Sequence, residues 1–186
     1  MSSKRIPLWK FTPSKNDRIL MDTNILIKLF HPINYTDTKE EYGVFYSSLR
    51  SVKSTLLISS VQMSEYINRC IRLQFELFKN ENEHAQYYKF KEDYRQTKDY
   101  VDSMNAILDT VKADIIPYFT PISDGFDNID PEHIYLNKIS YDFNDALLAE
   151  IAKEQKAILV TDDADFIYHM DDIDIVTSNK FLLTIK

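Results

Sequence analysis

Five short apolar runs separated by stretches of helical periodicity constrain the fold of this chain most. They are RILMD (18–22), TLLIS (55–59), DIIPYF (114–119), AILVT (157–161) and DIDIV (172–176). Each is too short for a helix of its own, and TLLIS and AILVT are too uniformly apolar for a strand with one wet face. Helical patterns lie between them. NILIKLF follows Asp22 and stops at His31-Pro32, Ser60 has the chemistry to cap a helix that begins VQMSEYINRC, and DFNDALLAEIAKEQ runs directly into AILVT. Buried strands alternating with helices predict the α/β class, as a three-layer α/β/α sandwich around a central parallel sheet of about five strands. Pro117 makes the third run an edge strand or one that ends early. Two long helices, about 61–79 and 83–111, are expected between the second and third strands. Phe90, Tyr94, Thr97, Val101, Met104, Leu108 and Val111 are spaced at helical intervals on the second, and Ile67, Ile71, Phe75 and Phe78 on the first. These stripes predict a helical hairpin with an apolar seam, inserted at about 61–111 in a single domain covering 1–186.

Composition removes several function classes. With two glycines in 186 residues, the chain can build neither a G-x-G-x-x-G dinucleotide loop nor a Walker A loop. One cysteine, Cys70, excludes an internal disulfide and a multi-cysteine zinc site, and the four histidines form no H-x-x-x-H pair. No apolar run approaches the ~18 residues of a membrane span, and MSSKRIPLWKFTPSK lacks the apolar core of a signal peptide. The sequence therefore places the chain in the cytoplasm, off the membrane. The net charge of −7 argues against general polyanion binding, yet it is unevenly spread. Residues 1–30 carry +4, residues 121–150 carry −6 and residues 151–186 carry −3.

Position gives the acidic residues a meaning. In an open parallel sheet, functional groups gather at the carboxyl ends of the strands, where strand order reverses. Asp22 ends the first strand, and Glu65 lies in the first turns of the helix leaving the second. Asp145 lies near the start of the helix before AILVT, Asp163 follows that strand by two residues, and Asp165 stands two further on. Each has an ordinary structural use, and Asp142 is expected only to cap the helix whose third position is Asp145. Four carboxylates brought together without cations repel and cost several kcal/mol. Hard divalent cations, Mg²⁺ or Mn²⁺, answer that cost and suit metal-dependent phosphodiester hydrolysis.

MDTNILI (21–27), SSVQMSEYI (59–67), DFNDALLAEIA (142–152) and LVTDDADF (159–166) resemble, in order, the motifs of PIN-domain nucleases. Thr161, Asp163, Asp165 and Phe166 carry the most specific piece. The resemblance implies that Asp22, Glu65, Asp145 and Asp163 form the catalytic and metal site, with Asp165 a supplementary ligand or water-holder. It gives Asn24 and Thr161 a supporting role toward ligands or substrate phosphate. It also implies a PIN-like fold, single-stranded RNA as substrate and a possible antitoxin partner. The apolar seam of the hairpin, flanked by Tyr87, Tyr88 and Tyr100 as expected exposed aromatics, predicts an association surface, most simply for a homodimer or an antitoxin contact. The chain is longer than the smallest toxins of toxin–antitoxin pairs, and it has Asp162 where the pattern often has Asn, which is expected to add negative charge near the site. An inactive PIN-fold module that binds RNA or a protein stands as the alternative.

Overall fold

The computed structural model describes residues 4–32, 39–129, 132, 134, 142–169 and 173–184. Six parallel strands form one sheet in the order β1-β6-β5-β2-β3-β4. They are β1 Arg5–Pro7, β2 Arg18–Met21, β3 Thr55–Ser59, β4 Thr120–Ile122, β5 Ile158–Val160 and β6 Ile175–Thr177. The helices that bear on the site are α1 Thr23–Phe30, α2 Lys39–Val52, α3 Ser60–Glu81, α4 Lys98–Thr110, α5 Phe143–Glu154 and α6 Lys180–Thr184.

Alternation along the strands builds the two faces of the sheet. Ile19 and Met21 of β2, with Leu56 and Ile58 of β3, join the helices α1 to α4 in one apolar cluster. Leu20, Leu57, Leu159 and Ile175 pack instead against Ala146–Ala149, Ile151 and Ala152 of α5 on the opposite face. The predicted three-layer α/β/α architecture is thus the architecture found.

The order of strands also locates a crevice. From β2 the chain builds outward through β3 to β4, then returns to the other side of β2 with β5 and continues outward to β6. Strand order therefore reverses between β2 and β5, and the crevice of an open α/β sheet lies outside their carboxyl ends. Asp22 leaves β2 there, and Thr161 leaves β5.

Several elements differ from the sequence prediction. DIIPYF is not a strand. Val111, Ile115 and Phe119 are buried at four-residue intervals, Val111–Ile115 forms a π turn continuing α4, and pairing begins only at Thr120. Pro121 sits in β4, an edge strand, where its missing N–H costs no ladder bond. β1 was not anticipated, since three residues containing Pro7 give almost no periodic signal. Nor was α2, whose buried Tyr42, Phe45 and Leu49 are interrupted by Gly43 and polar residues. The last strand starts at Ile175; Asp172, at the head of the predicted run, lies outside the described residues.

The second hairpin helix is shorter than expected. Glu83–Ala85 and Tyr94–Gln96 form 3₁₀ turns with irregular backbone between them, and Thr97 then caps α4 by accepting from the Tyr100 N–H at 3.1 Å. Phe75, Phe78, Phe90, Tyr94 and Tyr100 close this corner through ring contacts of 4.7–6.2 Å. Ile107, not Leu108, is the fully buried residue of α4, and Val101 faces solvent.

Candidate active site

Asp22 occupies the cap position of α1, directly after β2, and is buried. Its N–H donates to the Val160 carbonyl at 2.9 Å, which fastens it to the end of β5. Its Oδ2 accepts from Thr161 Oγ1 at 2.6 Å and from Asn24 Nδ2 at 2.7 Å. Thr161 Oγ1 in turn accepts from the Asp163 N–H at 2.9 Å. One hydroxyl therefore ties the carboxylate after β2 to the main chain after β5. Asn24 and Thr161, to which the resemblance gives a supporting role, thus both bond Asp22. Asn24 Oδ1 is buried and has no partner among the described residues.

Glu65 reaches the crevice from the second turn of α3. Its Oε2 accepts from Thr23 Oγ1 at 3.0 Å, and its Oε1 pairs with Arg69 one turn along at 3.2 Å. The start of α3 is itself sewn to β2. Ser59 and Gln62 form a reciprocal capping box, and buried Gln62 donates its Nε2–H to the Met21 carbonyl at 2.5 Å. Asp145 enters from the third position of α5, which Asp142 caps by accepting from the Asn144 N–H at 2.8 Å.

Electrostatics shows which of these groups share space. Burial pushes the Asp22 carboxyl up to about 6, the Thr161 hydrogen bond opposes that, and the charges of Asp163 and Glu65 push it further. Burial also raises Asp145 to about 8, with repulsion from Asp22, Asp142, Asp163 and Glu65 adding to it. Asp22 and Asp145 thus each feel the charges of Asp163 and Glu65, and the four carboxyls come from four different segments of the chain. Asp142, expected only as a cap, adds its charge to the group. Asp165 stands at the margin: its N–H donates to Asp163 Oδ1 at 3.0 Å and its side chain is exposed.

Asp162 corrects an expectation. Its charge does not add to the site, because Lys28 pairs with it at 2.5 Å. Tyr42 and Thr177 hydroxyls and the Ser178 N–H also donate to it, and Asn179 holds its carbonyl. Burial would raise this carboxyl, but the bonds from Lys28 and Tyr42 prevail and hold it below the usual range. Asp162 ties α1, α2 and the end of β6 to the turn that carries Thr161 and Asp163. Three basic side chains of α3 are also engaged. Arg69 pairs with Glu65, Arg72 lies 3.7 Å from the Phe90 ring centre, and Lys79 pairs with Glu76.

The partners Thr23, Lys28, Tyr42 and Gln62 escaped the sequence reading. Their contacts join residues 41 to 134 positions apart, and no local spacing marks them.

The chemistry of the donor set suits a hard divalent cation: it offers carboxylate oxygens, two of them on groups with raised proton affinities that a cation would relieve, beside a buried amide oxygen with no partner among the described residues. Among the described residues, no three His, Cys, Asp or Glu already stand at ligating positions around one point. Among the described residues, too, no helix is long and apolar enough to cross a membrane.

No curated protein matches the chain. Three solved structures are similar in shape at low identity. VapBC2 from Rickettsia felis, bound to a DNA fragment from their promoter, aligns at TM-score 0.46 and 15% identity, covering 86% of this chain and 98% of that one. FitAcB from Neisseria gonorrhoeae aligns at 0.49 and 13%, covering 85% and 96%. PAE2754 from Pyrobaculum aerophilum aligns at 0.47 and 10%, covering 95% and 94%. The family model for the PIN domain matches residues 19–172, a span that holds all four carboxylates, and the chain belongs to the PIN domain family.

Proposed function

We propose that this protein is a metal-dependent endoribonuclease that hydrolyses phosphodiester bonds of single-stranded RNA, with Asp22, Glu65, Asp145 and Asp163 as its working carboxylates. Asp22 leaving β2 and bonded to Thr161 after β5, at the reversal of strand order, with Glu65 held beside it through Thr23, is the observation that carries the reading. PIN domains are generally nucleases, which agrees with it. Mg²⁺ or Mn²⁺ held by the four carboxylates supplies, when bound, positive charge against the charge that develops in an in-line phosphodiester displacement. The chain's own residues prepare the place. Thr161 and Asn24 fix the rotamer of Asp22, and Thr23 and Arg69 fix Glu65. The capping box keeps α3 seated against β2, so that Glu65 stays opposite Asp22. Asp165 steadies the Asp163 carboxylate through its N–H and extends the acidic rim.

The proposal extends to one domain with the hairpin as an insertion, to a homodimer, and to a small antitoxin protein as partner in the cytoplasm. Tyr87 (91% exposed) and Val101 (51%) on the hairpin support an association surface. Tyr88 and Tyr100, also expected there as exposed aromatics, are instead partly buried against the core.

The test is cleavage of a fluorescent single-stranded RNA by the purified protein in Mn²⁺. Cleavage that EDTA stops, and that Asp22→Asn abolishes, is expected, because an amide is a poor ligand for a hard cation. Intact RNA in Mn²⁺, or undiminished cleavage by Asp22→Asn, overturns the reading.

A further inference from the structure

Helix α1 is joined to the turn after β5 at two places. At its start, Asp22 accepts from Thr161 Oγ1 at 2.6 Å and gives its own N–H to the Val160 carbonyl at 2.9 Å. In its last turn, Lys28 donates to Asp162 Oδ2 at 2.5 Å. Six residues separate Asp22 from Lys28, so the two attachments stand about 9 Å apart along the helix. One attachment alone is a pivot. Two fix the axis of α1 against the turn.

The second attachment is itself braced. Asp162 Oδ1 accepts from the Tyr42 hydroxyl at 2.5 Å, the Thr177 hydroxyl at 3.2 Å and the Ser178 N–H at 3.0 Å. With Lys28 on Oδ2, four donors occupy the lone-pair sites of this carboxylate, which makes it an anchor and not a cation ligand. The Lys28 ammonium also lies 4.9 Å from the centre of the Tyr42 ring, and the pair is only about one-fifth exposed. The carboxylate geometry hangs on these contacts. Thr161, Asp162 and Asp163 are consecutive: the first holds Asp22, the second holds Lys28, and the third brings its own carboxylate. On the other side, α1 carries Thr23, which donates to Glu65 Oε2 at 3.0 Å. A swing of α1 about the Asp22–Thr161 contact therefore displaces Thr23, and Glu65 with it, relative to Asp163.

We infer that Lys28 and Asp162 are positioning residues of the carboxylate site: their ion pair locks α1 to the turn after β5 and so fixes Asp22 and Glu65 relative to Asp163 in the arrangement that takes a divalent cation. The inference rests on the cation-binding role proposed for those carboxylates, and not on RNA as the substrate.

Charge and geometry predict opposite results here. Through its field alone, Lys28→Met removes a positive charge beside an acidic site and tightens cation binding, whereas lost positioning weakens it. Lys28→Met combined with Asp162→Asn leaves the net charge unchanged, so that double variant reads geometry by itself. Mn²⁺ binding to the full chain is titrated by the electron paramagnetic resonance of free Mn²⁺, beside a urea denaturation in EDTA. Lys28→Met and the double variant are both expected to bind Mn²⁺ about tenfold more weakly than wild type, the lower end of the loss when a residue that orients metal ligands is replaced. The double variant is expected to regain stability over Asp162→Asn while its Mn²⁺ affinity stays low, a separation that a merely structural role does not produce. Wild-type affinity in the double variant overturns the inference, as does Lys28→Met binding Mn²⁺ as tightly as wild type or more so. Wild type that binds no Mn²⁺ overturns it together with the proposed cation site. Weakened Mn²⁺ binding in both variants of a protein that leaves RNA intact upholds the positioning role and rejects the nuclease reading alone.

Discussion

Asp145 and Asp22 carry the clearest physical signature of the site, and the signature is measurable through pH. Both have folded-state values raised above the ordinary 3.8, to about 8 and about 6. A raised acid value means that the folded state holds its proton more tightly than the unfolded chain. These two groups therefore favour folding most below about pH 4, and that contribution is lost as pH rises through 6 and then 8. In EDTA, their share of the melting temperature should fall between pH 5 and 8.5, and Mn²⁺ should remove most of that fall. A Tm slope unchanged by Mn²⁺ would contradict the shared site. Asp162 makes a second residue-scale case. It and Lys28 are each about one-fifth exposed, so neutralising one leaves the other charge largely buried. Asp162→Asn should cost about 2 kcal/mol, less than the roughly 3–5 kcal/mol typical of a fully buried pair because both groups keep some exposure. Adding Lys28→Met should recover part of that, as read by urea denaturation; equal stability of the single and double variants would show that the pair is not coupled. The four carboxylates were legible in sequence because each lies at a strand or helix junction. Lys28 and Tyr42 were not, because only the folded chain brings them to Asp162.

At the scale of elements, Gln62 links geometry to chemistry. It closes the capping box of α3 and bonds the last carbonyl of β2, so the segments bearing Glu65 and Asp22 meet through one side chain. Gln62→Ala leaves the buried Met21 carbonyl and Ser59 N–H without these partners and should cost about 2 kcal/mol in a urea or thermal melt. A loss below about 0.5 kcal/mol would show that the seating of α3 is set elsewhere. The helix after TLLIS was readable from Ser60 and the apolar spacing that follows, with the cap itself found one residue earlier, at Ser59. DIIPYF misled because a short apolar run carries strand and helix signals together, and here Val111, Ile115 and Phe119 follow the helical interval. The stretch 83–97 kept a helical spacing of apolar residues, yet its aromatic packing and the Thr97 cap start the helix later.

For the whole molecule, the sheet order explains why residues between 18 and 141 positions apart come to one place. β2 and β5 are neighbours at the reversal, α3 returns from β3 on one side, and α5 delivers Asp145 from the other face. The alternation of strands and helices made this layering readable, while the two edge strands, three residues each and both containing proline, were too short to announce themselves. The claim that four carboxylates form one cation site is tested most directly by melting wild type and Asp145→Asn at pH 8 in EDTA and in Mn²⁺. Asp145→Asn should melt a few degrees higher than wild type in EDTA, since about 1 kcal/mol of repulsion is removed. It should also gain much less from Mn²⁺, whose stabilisation of wild type follows from binding the folded state alone. An Asp145→Asn protein that melts lower in EDTA and gains as much from Mn²⁺ as wild type would show that the four carboxylates do not act as one site.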